Sequence, residues 1–182
     1  MIREWMTLVE APLELQTSMG MTTWYNDDVI ITGGARSHLM PPPGYGRLLY
    51  VLLDRKIYDE TQDFGESKQG DIELFVGPDN DLAGLINIKL APKKRRAGIG
   101  RMAVQALVDT AKHDFAIVDI RKPALGFWKK MGCEFYTDRG IQVTDFKTYN
   151  WNGSTLNGVI RTGQRLELNQ MPGFKKSAGT NV

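Results

Sequence analysis

Two glycines beside a run of basic residues are the part of this sequence with the clearest chemical meaning. Gly98 and Gly100 follow the apolar segment 82–90 and precede a pattern typical of an amphipathic helix. Glycine has no side chain to keep a ligand off the main chain, and the first N–H groups of a helix attract anions. The run 93–96 is entirely basic and adds positive charge. The sequence therefore predicts an anion site here, and a diphosphate is its natural ligand.

The segments around these glycines predict an α/β unit. Residues 71–76 and 82–90 are rich in β-forming residues and flank a turn cluster, which predicts a hairpin. Apolar residues then recur at helical spacing over 99–111, and 115–120 is a short apolar run typical of a strand buried on both faces. The helical stripe consists of Ile99, Ala103, Val104, Leu107, Val108 and Ala111. A strand, helix and strand in this order predict that 82–90 and 115–120 run parallel.

Two motifs resemble the signatures of one family, the GNAT superfamily of N-acetyltransferases. Arg95, Gly98 and Gly100 have the spacing of the R/Q-x-x-G-x-G/A loop, which binds the pyrophosphate of coenzyme A in that family. The segment 124–133 follows the second signature, A-x-x-F-Y-x-x-x-G-F, from end to end. The resemblance covers about residues 71–149, and the two motifs occur in the family's order.

The resemblance implies a fold and a cofactor. The fold is α/β, with a mixed, splayed central sheet and flanking helices, and acyl-CoA enters between the two parallel strands. Main-chain groups of 88–90 are then expected to pair with the pantetheine chain as an added strand, and the glycine loop takes the diphosphate. The residues expected to contact acetyl-CoA are Ile88, Lys89, Leu90, Arg95, Arg96, Ala97, Gly98, Ile99, Gly100, Arg101 and Trp128.

The family's catalytic groups do not carry over to this sequence. Trp128 stands where the second signature usually has a tyrosine, often the general acid, and an indole N–H cannot do that work. Gly84 stands where some members have a carboxylate. We therefore consider Tyr136, Asp119 and Glu73 for proton transfer, because each lies on or just beyond a strand that borders the expected cleft. Holding an amine beside a thioester also provides much of the rate advantage by itself.

Three functions are compatible with these residues. The first, which we favour, is an N-acyltransferase that moves an acetyl group from acetyl-CoA directly to an amine on a small molecule, a protein or a nucleic acid. The second is a non-catalytic acyl-CoA-binding module, suggested by Trp128 and the missing base. The third is a nucleic-acid-binding or nucleic-acid-modifying member of the fold, suggested by the basic cluster 93–101 with Lys129, Lys130, Lys175 and Lys176.

Composition limits the class of protein without identifying it. The chain has 182 residues, 42% of them hydrophobic, and a net charge of +2, which is too small to indicate nucleic acid by itself. A single cysteine, Cys133, excludes an internal disulfide and favours a cytoplasmic protein. No segment predicts a signal peptide or a membrane helix. His38 and His113 are far apart, so no metal site is expected.

The first 70 residues are less regular. A weak helix is predicted over 12–21, and strands over 28–32 and 48–53. Three prolines and four glycines predict that 33–46 is largely loop. The polar stretch 54–70 predicts a loop or a strand extension at the mouth of the cleft. His38, Tyr45 and Arg47 lie where a substrate loop could be, although ordinary loop chemistry is the favoured explanation for all three.

The C-terminal part predicts further β-structure. We expect one domain over 1–182, with a last family strand over 141–151. Asn-Gly and Thr-Gly pairs then predict an extra β-hairpin region over 152–170, which extends the sheet or forms a homodimer contact. A mobile tail is expected over 171–182.

Overall fold

The protein is described by a computed structural model that covers residues 13–18, 21–36, 45–95 and 97–175. Nine strands in these ranges form one mixed sheet with four flanking α-helices. The strands are β1 (Glu14–Ser18), β2 (Met21–Tyr25), β3 (Val29–Arg36), β4 (Gly46–Asp54), β5 (Lys68–Val76), β6 (Leu82–Leu90), β7 (Phe115–Ile120), β8 (Glu134–Tyr136) and β9 (Leu156–Ile160). The helices are α1 (Arg55–Thr61), α2 (Phe64–Ser67), α3 (Ile99–Thr110) and α4 (Leu125–Lys130).

The order of strands in the sheet is β1-β2-β3-β4-β5-β6-β7-β9-β8. All neighbouring strands are antiparallel except β6 and β7, which run parallel as the sequence predicts. That parallel pairing comprises only two residue pairs, Gly84 with Ala116 and Leu85 with Ile117. Beyond them the strands separate, which gives the splayed α/β sheet expected from the sequence.

Irregular pairing accompanies the separation on both sides. The register of β5 with β6 shifts between Glu73 and Leu74, and this leaves Ile86 as an extra residue in β6. The register of β7 with β9 shifts between Ile117 and Ile120. Because a bulge bends its strand and increases the local twist, these two irregularities direct β6 and β7 away from each other.

The main core lies between the sheet and α3. The predicted stripe of α3 is confirmed, since its apolar residues from Ala103 to Ala111 are buried against strand side chains such as Tyr50, Leu52 and Leu74. Trp128 of α4 belongs to the same core. We call this side of the sheet the helix face and the other side the far face.

The far face carries the C-terminal segment. Met171 is buried there with Ala116, Tyr136 and Val159, and Phe174 packs edge-to-face on the ring of Tyr136. The N–H of Lys175 donates to the carbonyl of Asp138. The chain is thus packed as far as residue 175, where a mobile tail was expected, and residues 176–182 lie outside the described ranges.

The N-terminal helix prediction is wrong. Within 12–21 the described residues form β1 and the first residue of β2, and the pairs Gln16 with Thr23 and Thr17 with Thr22 join the two strands. A short segment nucleates a helix poorly, whereas the neighbouring strand offers immediate hydrogen-bond partners. The β-branched threonines also favour extended structure.

The segment 54–70 differs from its prediction as well, because most of it is helical. Asp54 caps α1 by accepting a hydrogen bond from the N–H of Ile57 (3.1 Å), and Asp63 caps α2 by accepting from the N–H groups of Gly65 and Glu66. An aspartate at each start is the signal that the sequence interpretation missed. Helix α1 follows β4 directly, and α2 leads into β5.

The loop predicted over 33–46 begins later than expected. Strand β3 continues through Gly33 and Gly34 to Arg36, with a register shift against β4. Gly33 has φ of +138°, and a Cβ there would lie 2.9 Å from the carbonyl oxygen of Leu49. This glycine lies within the predicted loop, but in the structure it allows close contact between β3 and β4. Residues 37–44, including His38, lie outside the described ranges.

The last strand is not where it was predicted. Residues 141–151 form turns and one isolated bridge between Tyr136 and Gln142, and two aromatic pairs, Tyr149 with Trp151 and Phe135 with Phe146, pack this loop. In 152–170 the structure has the single strand β9, which lies between β7 and β8 instead of extending the sheet. The dimer expected through this region remains a prediction.

Gly158 shows why the Asn-Gly turn prediction failed. The residue lies inside β9, where its missing side chain leaves room for Cys133 and Ile120. Cys133 is a buried core residue, and burial raises the pKa of its thiol to about 12. Glycine is needed here for close packing and not for a turn.

We expect Gly158→Ala to lower the free energy of unfolding by about 2 kcal/mol or more, because the added methyl overlaps Cys133 Sγ and lies 2.8 Å from Ile120 Cδ1. Cys133→Ala in the same chain should recover part of that loss. Gly126→Ala is the matched control: no atom outside its own helix lies within 4 Å of that Cβ, so it should stabilise slightly or not at all. Urea denaturation measures all four proteins, and equal stability of the Gly158 and Gly126 variants would contradict this packing.

Candidate functional site

A cleft of about 590 Å³ opens where β6 and β7 separate. It passes through the sheet, because it is lined by residues of both faces. Its helix-face residues include Leu90, Gly100, Ala124, Phe127 and Trp128, and its far-face residues include Arg47, Glu73, Asn87 and Val118. Asp119 also lines it, at the end of β7. A ligand on one face can therefore meet a ligand on the other.

Strand β6 presents main-chain groups to this cleft at every second residue. The N–H of Ala91 donates to the carbonyl of Gln69 in β5 (2.9 Å). Since successive strand residues direct their main-chain groups to opposite neighbours, Lys89 also faces β5, whereas Ile88 and Leu90 face the cleft. Of the three positions expected to pair with an extended ligand, Ile88 and Leu90 are thus oriented to do so.

Helix α3 begins at the mouth of the cleft without a side-chain cap. Its N-cap residue is Gly98, which has φ of +81°. Because glycine has no side chain, the N–H groups of the first turn find no side-chain acceptor at the N-cap. The N–H groups of Ile99, Gly100 and Arg101 precede the first intrahelical bond, which runs from the N–H of Met102 to the carbonyl of Gly98. A Cβ on Gly98 would meet no atom within 4 Å. The first turn therefore offers several N–H donors to open space.

Basic side chains surround this helix start. Lys93, Arg95 and Arg101 are exposed and Lys94 is half-buried. None of these four forms an ion pair within the described parts of the chain, so their charge is available to a ligand. Arg95 donates from Nε to the carbonyl of Leu90 (3.3 Å), which holds its side chain near the strand end. Arg96 and its predicted contact lie outside the described residues.

Trp128 closes the cleft on the helix face. Its side chain is buried, and its ring packs edge-to-face against Phe127 with 4.8 Å between the centroids. The indole therefore belongs to the core and forms an apolar wall of the cleft at the same time. This position agrees with a packing role and offers no acid for proton transfer.

Glu73 and Arg47 form an ion pair on the far face of the cleft. Arg47 Nε lies 2.5 Å from Glu73 Oε1, and their side chains are 19% and 12% exposed. They come from adjacent strands: Glu73 of β5 pairs with Leu49 of β4, two residues from Arg47. The guanidinium fixes the carboxylate while both remain within reach of a ligand in the cleft.

Asp119 reaches the cleft through an unusual main-chain conformation. Its φ is +58°, in the left-handed region that few non-glycine residues adopt. Its N–H donates to Asn157 Oδ1, and its Oδ1 accepts from the hydroxyl of Thr155, each at 3.2 Å. The side chain is exposed. Glu73 and Asp119, both selected from the sequence, thus meet at one cleft.

The structure does not bring Tyr136 to the cleft. Its hydroxyl donates to Glu134 Oε2 (2.7 Å) and accepts from Arg161 Nη2 (3.2 Å) in a far-face network on β8 and β9. Burial and the hydrogen bond to Glu134 raise the pKa of Tyr136 above its usual value. Arg161 also binds Asp114. The role of this tyrosine in the structure is to complete that network.

Asp114 anchors the other side of the same network. Burial opposes its ionisation, but hydrogen bonds from the N–H groups of Thr162 and Leu166 and from Arg161 hold the pKa of Asp114 below its usual value. This polar cluster joins the start of β7 to the chain after β9. It is a structural element and shares no residue with the lining of the cleft within the described ranges.

Comparison with known families gives this architecture a name. Residues 4–133 match the family model described as the Acetyltransferase (GNAT) family. The chain belongs to the GNAT family. The resemblance seen in the two motifs is thereby confirmed, and membership supports acyl-CoA-dependent acetyl transfer in general. Among curated proteins, none matches this chain.

The GNAT co-substrate, acetyl-CoA, fits the residues that are present. A phosphate group suits the free N–H donors of α3 together with Lys93, Arg95 and Arg101, and an extended amide chain suits the main chain of Ile88 and Leu90. The described residues contain no group of three side chains suited to a metal ion. Nor do they contain a helix long and apolar enough to cross a membrane.

Sequence analysis did not single out several residues that line the cleft. Ala124 and Phe127 lie in the second motif, so the motif itself could have indicated them. Asn87 carries no such signal, because its position follows from strand register and the bulge in β6. Tyr45, noted beside Arg47 in the sequence, donates from its hydroxyl to the carbonyl of Gln170.

Gly100→Val should weaken coenzyme A binding at least 100-fold, because a Cβ at this cleft-lining position lies 3.2 Å from Leu90 Cδ1 and larger branches must occupy the cleft. Isothermal titration calorimetry measures the affinity. Gln105→Val, in the same helix but outside the cleft, controls for a branched residue in α3 and should bind normally. An unchanged affinity of the Gly100 variant would show that the ligand lies elsewhere.

Tyr136→Phe should cost about 1–2 kcal/mol of unfolding free energy, because Glu134 and Arg161 lose a shared hydroxyl. Acetyl transfer per folded enzyme should change by less than about 3-fold, since the side chain lies outside the cleft. Chemical denaturation and kcat are measured on the same preparation. A loss of 100-fold in kcat at unchanged stability would identify Tyr136 as the acid after all.

Proposed function

We propose that this protein is an N-acyltransferase that moves the acetyl group of acetyl-CoA directly to an amine. One observation carries the proposal: a single cleft passes through the sheet, with an anion-binding helix start on one side and a fixed carboxylate on the other. Acetyl-CoA, when bound, supplies the acetyl group as an activated thioester. The residues of this chain bind and orient the reactants and accept the proton of the amine.

The helix face is suited to hold and orient the co-substrate. The first turn of α3 and its basic neighbours match phosphates, while Ile88 and Leu90 match an amide chain running into the gap. Trp128 and Phe127 exclude water from the inner wall. Fixing both reactants in one orientation supplies the entropic part of catalysis.

The far face is suited to receive the amine. An amine must lose a proton to act as a nucleophile, and Glu73 is a carboxylate at the cleft that can accept this proton. Arg47 holds Glu73 Oε1, so the carboxylate keeps one orientation. No tyrosine or cysteine lines the cleft among the described residues, which leaves solvent to return the proton to the departing thiolate.

The two alternatives have unequal support. A non-catalytic acyl-CoA-binding module is favoured by one observation, the buried Trp128 in place of an acid, and would bind coenzyme A without releasing thiol from acetyl-CoA for any amine. A nucleic-acid role has less support, because Lys175 pairs with Asp138 and the ammonium of Lys129 lies 4.1 Å from the ring centroid of Phe146. The positive charges of Lys175 and Lys129 therefore already have partners within the protein.

Glu73→Gln should lower kcat about 100-fold or more with little change in coenzyme A affinity, because the amide keeps an oxygen for Arg47 but cannot accept a proton. Release of free thiol from acetyl-CoA, followed with a panel of amines, is the measurement.

Asp71→Asn provides the control for this variant. It removes a carboxylate two residues earlier on β5, outside the cleft and paired with Lys68, and should leave turnover unchanged. Equal activity of the Glu73 variant and the parent protein would remove Glu73 from the mechanism and leave catalysis to positioning alone.

A further inference from the structure

A second cavity shares part of its wall with the cleft. It has a volume of about 590 Å³ and is formed by the loop that follows β8, by the residues before β9 and by the C-terminal segment around Gly173 and Lys175. Val118 and Asp119 line both cavities. Asp119 thus lies at the junction of the two cavities. We call this second space the polar cavity.

Asp119 is the charged group at the junction. Its carboxylate is exposed, accepts one hydrogen bond from Thr155 and forms no ion pair with any described residue. The other aspartate of the polar cavity, Asp138, is already paired with Lys175 at 2.5 Å. Only one of the two carboxylates is thus available to a cationic ligand.

The main chain at the junction is held in place by buried groups. Asn157 is 5% exposed, accepts a hydrogen bond from the N–H of Asp119 and donates from Nδ2 to the carbonyl of Gly173 (2.6 Å). This link joins β7, β9 and the C-terminal segment at one point. A left-handed aspartate costs conformational energy, and the structure maintains it with these two hydrogen bonds.

The walls of the polar cavity favour a ligand rich in hydrogen-bonding groups. Four of the lining side chains carry hydroxyl groups: Thr137, Tyr149, Ser154 and Thr155. Another cavity, of about 660 Å³, lies beside α1 and α2 and has mixed walls, with apolar residues such as Ile30 and Leu53 and polar ones such as Arg55. In the described residues that cavity has no lining residue in common with the cleft.

We propose that the polar cavity is the acceptor site, that it takes a small amine bearing hydroxyl groups, and that Asp119 binds the ammonium group of this molecule. The inference rests on the proposed acetyl transfer and specifies its acceptor. Asp119 draws the protonated amine to the junction of the two cavities, and the amine loses its proton to Glu73, which lines the same cleft. In this proposal Asp119 binds and selects the acceptor, and Glu73 accepts the proton of its amine.

Two amines of equal ring size test the proposal. Glucosamine carries hydroxyl groups and cyclohexylamine carries none. Their binding to the protein saturated with coenzyme A is measured by NMR titration near about pH 6.5, where both are mainly ammonium ions. Glucosamine should bind at least about 10-fold more tightly, and Asp119→Asn should weaken its binding by about 10-fold or more. Asparagine tolerates the left-handed main chain, so the fold should be kept.

Asp145→Asn is the matched control. It removes an exposed carboxylate from the segment that follows β8, at a position outside both cavities. It should bind glucosamine as the parent protein does, and both variants should bind coenzyme A normally. Equal affinity for the two amines, or glucosamine binding that does not depend on Asp119, would overturn the acceptor site. Asp119-dependent binding without thiol release from acetyl-CoA for any amine would uphold the site and overturn acetyl transfer alone.

Discussion

The short parallel contact between β6 and β7 is the constraint on which the rest of this structure depends. Two residue pairs hold the strands together, and then each strand turns away at a bulge. The main chain at Ile88 and Leu90 has no strand partner on this side. Apart from the carbonyl of Leu90, which accepts from Arg95 Nε, its cleft-facing groups must find hydrogen bonds in solvent or in a ligand. A cleft through the sheet is the direct result.

Packing on both sides keeps this opening from closing. On the helix face, α3 and α4 bury a continuous apolar core that includes Trp128 and Phe115. On the far face, the Arg161 network and the C-terminal segment hold β7, β8 and β9 in place. The walls of the cleft are therefore anchored on both faces of the sheet.

The division of charge across the sheet gives the two faces different chemistry. Positive side chains and free N–H groups gather at the start of α3, where they suit phosphates. The opposite side carries the carboxylates of Glu73 and Asp119, of which Glu73 is paired with Arg47. In the function that we propose, an anionic donor and a cationic acceptor approach the cleft from these two sides.

The sequence alone determined the parts that depend on local pattern. The period of α3, the strands β6 and β7 and the two glycine motifs follow from residues close together in the chain, so they were predicted with their approximate bounds. Tertiary structure decided what depends on pairing between distant segments. Gly158 marks a buried strand instead of a turn because Cys133 packs over it, and Tyr136 lies outside the cleft because β9 enters between β7 and β8. The ion pair of Arg47 with Glu73 and the left-handed main chain of Asp119 likewise depend on pairing between strands, which no spacing in the sequence reveals.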